Sequence, residues 1–170
     1  MPAPVLETKR LVLRHLSEDD APFVLGLLNE PSFLQFIGDR KVRTVDQARE
    51  YLRTGPILSY ATNGFGLLLV VRKSDGEPLG ICGLLKRETL DDVDIGFAFR
   101  PAFWLKGYAV ESASAVLAYG LNVLGFARIV AITNPGNAGS IAVLEALGLR
   151  FERMMRLSDD EPELKLFAIG

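Results

Sequence analysis

Apolar residues recur along the chain with two periods, and the switch between them organises it. Leu11, Val12 and Leu13 form a short β-prone run that stops at the polar group Ser17, Glu18, Asp19 and Asp20. Ser17 suits the cap of a helix in which Phe23, Val24, Leu27 and Leu28 recur at helical spacing. Thr44 with Gln47 three residues on has the form of a capping box, which predicts a second helix running towards Ser59. Gly64 and Gly66 break the chain. Three strands are then expected: Leu67 to Val71, followed by the turn Ser74-Asp75-Gly76; Leu79 to Leu85; and Val93 to Phe99, with Ile95, Phe97 and Phe99 on one face.

From here helices and strands alternate. Val110, Ala113, Leu117, Leu121 and Leu124 fit one helical stripe that Gly125 stops. Arg128 to Thr133 is a β-branched strand, and Ile141, Leu144 and Leu147 lie on a helix ended by Gly148. Two last strands are expected near Leu149 to Leu157 and Glu163 to Ala168. The order β-α-α-β-β-β-α-β-α-β-β predicts an α/β (α+β) fold. Its mixed, mostly antiparallel central sheet of six to seven strands is flanked by helices, and the later strand-helix-strand unit is parallel and right-handed. No repeat or long linker divides residues 1–170, so one domain is expected.

Composition narrows the chemistry. With 19 basic and 21 acidic side chains the net charge is −2, which argues against nucleic acid as the main partner. Cys82 is the only cysteine and His15 the only histidine, so a disulfide, a cysteine-based metal cluster and the usual zinc ligand sets are not expected. Cys82 reads as core and His15 as a structural residue at the end of the first strand. Met1 to Leu6 lacks a signal pattern and no apolar run reaches membrane-spanning length, so a cytoplasmic protein without membrane partners is expected.

Between the third of these strands and the following helix lies Arg100-Pro101-Ala102-Phe103-Trp104-Leu105-Lys106-Gly107-Tyr108-Ala109. Such a turn presents unpaired N–H groups at the positive end of a helix dipole, which suits an anion, and Gly107 would let a pyrophosphate approach. Lys106 adds charge. The same features also describe a plain strand-helix connection. No Gly-Lys-Ser/Thr follows a glycine-rich loop, and Gly64-Phe65-Gly66 precedes a strand, so neither a P-loop nor a dinucleotide fingerprint is present.

The segment Pro101 to Glu111 closely resembles the acetyl-CoA motif of GNAT acetyltransferases, in particular the branch of the ribosomal-protein N-terminal acetyltransferases, where Trp often stands at the place of Trp104. Thr8-Lys9-Arg10-Leu11-Val12-Leu13-Arg14 resembles that branch's opening strand, and Asp94-Ile95-Gly96-Phe97 the strand before the motif. Asn137-Ala138-Gly139-Ser140, with the helix ending Leu147-Gly148-Leu149, resembles the second signature. Leu105 stands where the family often has Gly, a change a backbone-mediated site tolerates if its φ is negative. No tyrosine follows Tyr119, so the tyrosine acid used by many GNATs has no counterpart.

The resemblance implies a single GNAT domain with acetyl-CoA as co-substrate and no metal. An amine would attack the thioester directly, through a tetrahedral intermediate. Backbone groups of Phe97, Ala98 and Phe99 would line the cofactor, with Gly96 to Ala98 facing the oxyanion. Trp104, Leu105, Lys106, Gly107, Tyr108 and Ala109 would form the pyrophosphate turn. Asn137 would contact the pantetheine arm, and Ser140 would both contact it and donate a proton to the leaving thiolate. Asp94, with Glu88 in reserve, is the candidate base, and for both the alternative is a solvated strand-end charge. A protein or peptide N-terminus is the leading acceptor, because an α-amine near pKa 8 loses its proton more readily than a lysine near 10.4. The acidic stretch Asp159 to Glu163 leaves a cationic acceptor such as a polyamine open. A non-catalytic acyl-CoA-binding module is the rival reading, and a homodimer is a further expectation from the family.

Overall fold

The computed structural model describes residues 3–170. The reading of Met1 to Leu6 touches Met1 and Pro2, which lie outside them. The chain begins with a hairpin, β1 (Pro4–Glu7) and β2 (Leu11–His15). A helical layer follows: α1 (Ala21–Leu28), α2 (Pro31–Phe36), α3 (Val45–Leu52) and α4 (Leu58–Asn63). Then come β3 (Leu67–Arg72), β4 (Pro78–Leu85), β5 (Asp94–Phe99), α5 (Tyr108–Asn122), β6 (Ile129–Thr133), α6 (Ala138–Ala146), β7 (Arg150–Met155) and β8 (Leu164–Ile169).

Among the described residues these strands form one eight-stranded sheet in the order β1-β2-β3-β4-β5-β6-β8-β7. All neighbours are antiparallel except β5 and β6, which are the parallel pair expected around the α5 crossover. The sheet exceeds the expected six to seven strands because Pro4–Glu7 adds an edge. Four residues opening on proline carry little strand signal, and an edge is where a missing N–H does no harm.

Each face of the sheet has its own core. Leu11, Leu13, Leu68, Val70, Cys82 and Ile95 pack beneath α5 and α6. Alternate residues of the same strands, Leu67, Leu69, Val71 and Ile81, pack against Val24, Leu27, Phe33, Ala48 and Leu52 of the α1–α4 layer. Cys82 is fully buried and its thiol is pushed up to about 12 by desolvation, as a core cysteine should be. His15 ends β2 with its ring stacked on Tyr60 at 3.8 Å.

The Thr44 capping box forms: Gln47 N–H donates to Thr44 Oγ1 at 3.1 Å and Thr44 N–H to Gln47 Oε1 at 3.2 Å. The helix passes beyond Ser59 to Asn63, through a wide π turn at Arg53–Ile57 around Pro56, which has no N–H for the regular ladder. Helix α2, unsignalled in the sequence, has a single buried residue, Phe33. On α5 the buried positions are Tyr108, Ser112, Ala113, Val116, Leu117 and Gly120; Val110, expected in the stripe, is half-buried.

Candidate active site

Strands β5 and β6 pair at one place, Asp94 opposite Val130, where Val130 N–H donates to Val93 C=O at 3.0 Å. Beyond it they part. β5 continues on β4 as far as Phe99, while β6 follows β8 as far as Thr133 opposite Lys165. A wedge therefore opens towards the carboxyl ends of two parallel strands, the place where α/β sheets bind ligands. Both helices that follow these strands, α5 and α6, begin at that end. The acidic loop before β8 emerges there too, because Lys165 pairs with Thr133.

Strand alternation decides which backbone groups face the wedge. Arg100 N–H donates to Leu79 C=O at 3.0 Å on the β4 side, and Val93 C=O accepts on the β6 side. Phe97 and Phe99 therefore turn their backbone groups into the opening, whereas those of Ala98 and Gly96 bond to β4. The C=O of Phe99 accepts the Trp104 indole N–H at 2.8 Å. Half-exposed Trp104 thus fastens the turn to the end of β5. At Gly96 a Cβ would stand 2.9 Å from Leu85 Cδ1, the free end of a half-buried side chain that can shift aside.

The turn itself departs from expectation at one residue. Leu105 has φ +60°, in the left-handed region, rather than the negative φ that a leucine prefers, and its side chain is fully exposed. Gly107 has φ +82° and caps α5. Two left-handed residues separated by Lys106 fold the chain sharply, so that N–H groups of the turn and of the first helical residues, Tyr108 and Ala109, are left without intrahelical partners. Strain of this kind in a non-glycine residue persists only where the surroundings enforce it. Lys106 is exposed. Tyr108 is buried, with the Arg10 guanidinium 4.4 Å from its ring centre and Arg72 Nη1 3.4 Å from its hydroxyl.

On α6, Asn137 caps the helix by accepting Ser140 N–H at 3.1 Å, and no protein partner meets the Ser140 hydroxyl among the described residues. On the opposite face of the sheet, Asp94 is 1% exposed, so it is no solvated strand-end charge. Desolvation pushes its carboxyl up to about 6 against the opposing pull of Arg87, whose Nε lies 3.2 Å and 3.3 Å from its two oxygens. Burial likewise pushes up the phenol of Tyr51, close to Arg40 and Arg87. Glu88 is exposed. The wedge therefore has a turn with unpaired N–H groups at its mouth and a carboxyl that titrates near 6 where the strands part.

No role for Arg10, Glu111 or Arg87 was legible in the sequence; the partners Arg10 and Glu111 stand 101 residues apart, and Arg87 meets Asp94 across a loop. Glu111 accepts from Thr8 Oγ1 at 2.5 Å, from Arg10 N–H at 2.9 Å and from Arg10 Nε at 2.7 Å, tying α5 to the first hairpin. A depression of about 470 Å³ lies at the carboxyl end of β2, lined by His15, Ser17, Ile57 and Tyr60. The Tyr60 hydroxyl on its floor is fully engaged, accepting from Leu16 N–H and donating to Leu67 C=O. Among the described residues no cluster of His, Cys, Asp and Glu could hold a metal ion, and no helix is long and apolar enough to cross a membrane.

Comparison with known proteins agrees with this geometry. Residues 10–150 match the acetyltransferase (GNAT) domain family. An uncharacterized protein of Bacillus subtilis, YkkB, is 32% identical over 156 residues, covering 89% of this chain and 88% of its own. An uncharacterized N-acetyltransferase of the same organism, YoaA, is 27% identical over 90% of this chain and 86% of its own. Among solved structures, a complex of the ribosomal L7/L12 α-N-protein acetyltransferase RimL with coenzyme A superimposes with a TM-score of 0.84 at 19% identity, over 98% of this chain and 97% of that one. The chain belongs to the GNAT acetyltransferases, acetyl-CoA-dependent enzymes that transfer an acetyl group to an amine acceptor.

Proposed function

We propose that residues 1–170 form one catalytic domain that acetylates the α-amine of a protein or peptide N-terminus, within the branch of the ribosomal-protein N-terminal acetyltransferases. The observation that carries this reading is the wedge between β5 and β6 together with the left-handed turn at its mouth. N–H groups from Leu105 to Ala109 hold the pyrophosphate, with Trp104 bracing the turn and Lys106 adding charge. The backbone of Phe97 and Phe99 aligns the pantetheine arm, as a further strand would, and the Phe97 N–H faces the thioester oxygen. Ala98, bonded to β4, supports them from behind. Asn137 and Ser140 border the arm from α6, and the Ser140 hydroxyl is the proton donor to the leaving thiolate.

Asp94 takes the amine's proton through water. A carboxyl near 6 is a mild base, adequate for an α-amine near pKa 8 and poorly matched to a lysine near 10.4. That difference favours an α-amine acceptor. The acidic loop Asp159 to Glu163 at the wedge favours a polyamine or other small cationic amine as the second reading.

The test is acetyl-CoA-dependent thiol release with free N-terminal peptides, lysine-only peptides and polyamines. Release with N-terminal peptides alone is expected, and release with polyamines alone would replace the acceptor. Silence throughout, with coenzyme A still bound, would indicate a binding module. In a folded Gly107→Trp variant coenzyme A binding is expected to disappear by calorimetry, and retained affinity would overturn the role of the turn.

A further inference from the structure

Three guanidiniums converge on the turn before α5, and they are not equivalent. Arg72 is fully engaged: its Nε and Nη2 donate to Asp75 at 3.1 Å and 2.7 Å, and its Nη1 reaches the Tyr108 hydroxyl at 3.4 Å. Arg100 Nη1 lies 3.6 Å from Glu77 Oε1. Arg10 engages only its Nε, donated to Glu111 at 2.7 Å, while its plane rests against the Tyr108 ring. Neither of its Nη atoms meets a protein partner among the described residues, and the side chain is 41% exposed.

The position of those unspent donors is telling. Arg10 Nη2 stands 3.3 Å from the point a Cβ on Gly107 would occupy. A side chain there would be strained by φ +82° and would press on the guanidinium. We propose that Arg10 is a cofactor ligand, its Nη groups donating charge-assisted hydrogen bonds to a phosphate of coenzyme A at the turn. The inference rests on the reading of that turn as the cofactor site. A planar guanidinium suits a phosphate, and Glu111 and Tyr108 fix it beforehand, so little side-chain entropy is lost when the phosphate arrives. Glu111 uses only one edge of the fork, leaving the terminal donors for a second anion. A residue that merely tied β2 to α5 would need only its backbone N–H and its Nε.

The experiment measures coenzyme A and 3′-dephospho-coenzyme A by calorimetry, and kcat/KM with S-acetylpantetheine, which carries no phosphate. It compares wild type, Arg10→Gln, Arg10→Lys and Thr8→Val, the last loosening the Glu111 tie without touching the guanidinium. Arg10→Gln is expected to weaken coenzyme A about tenfold, with partial recovery in Arg10→Lys. Thr8→Val should bind coenzyme A about as well as wild type, and S-acetylpantetheine turnover should be unchanged by Arg10→Gln. Loss retained with dephospho-coenzyme A assigns the pyrophosphate; loss confined to coenzyme A assigns the 3′-phosphate; both support the proposal. Equal losses in Arg10→Gln and Thr8→Val, or a parallel fall with S-acetylpantetheine, would reduce Arg10 to a structural tie. Wild-type protein that fails to bind coenzyme A would instead remove the cofactor turn on which the inference rests.

Discussion

Glu111 holds Arg10 at two points, 101 residues away in the chain. One carboxylate oxygen accepts the Arg10 backbone N–H at 2.9 Å, and the other accepts its Nε at 2.7 Å. The first oxygen also accepts the Thr8 hydroxyl. Two segments that stand out separately in the sequence thus meet at one carboxylate, and the helix whose first turn carries it is the one that opens at the wedge.

Glu111→Gln should destabilise the fold by about 1 kcal/mol, since it weakens charge-assisted bonds at a partly buried point. Burial pushes this carboxyl up, but the bonds from Thr8 and Arg10 together outweigh it, so it titrates below its ordinary 4.5. Its contribution is present above 4.5 and is lost as the pH falls through the lower folded value. Urea melts of wild type and variant should therefore converge under acid conditions. A gap that stays constant would remove the carboxylate from the account.

Asp94 has the opposite sign. Its carboxyl is raised from 3.8 to about 6, so its contribution to stability is full below 3.8 and is lost as the pH rises through about 6. Relative to Asp94→Asn, wild type should lose stability across that window. Activity should rise through the same window, because the base must be ionised, and Asp94→Asn should lower kcat by about a hundredfold or more. A variant with an unchanged pH–rate profile would exclude Asp94 as the base.

Leu105→Gly should stabilise the protein by about 0.5–1 kcal/mol, relief of the left-handed strain exceeding glycine's entropic cost. Leu105→Ile should destabilise it, since β-branched residues tolerate positive φ least. Both are read by chemical denaturation. A glycine variant less stable than wild type would mean that the leucine side chain contributes something its exposure does not reveal.

Ser140→Ala should leave coenzyme A affinity intact, because the Asn137 cap of α6 accepts the Ser140 backbone N–H and makes no use of its hydroxyl. Turnover should fall several-fold, and most with the least acidic thiol as leaving group. Equal turnover in the two proteins would release Ser140 from any acid role. Asn137→Ala should cost about 1 kcal/mol of stability through the lost cap.

Much of the fold was legible in the sequence. The periods of the apolar residues marked β3 to β5 and the alternation of helix and strand after them, and Thr44 with Gln47 marked the start of α3. These are local properties, written within a few residues of one another. The edge strand Pro4–Glu7 and the short helix Pro31–Phe36 were not legible, because each is held by neighbours more than by its own pattern. The reading of the motif around Gly107 as a cofactor turn came from its resemblance to a family, since its residues and its place between strand and helix also describe a plain connection.

The sequence by itself determined the family, the parallel crossover and the residue types available for chemistry. Tertiary structure decided the rest. That Asp94 is buried follows from where β5 and β6 part, and that Leu105 is left-handed follows from how the turn closes. The tie between Arg10 and Glu111 depends on a hairpin and a helix docking from opposite ends of the chain. Burial, hydrogen-bond partners and pKa are set by what surrounds a side chain in space, and sequence spacing carries no information about surroundings so far apart.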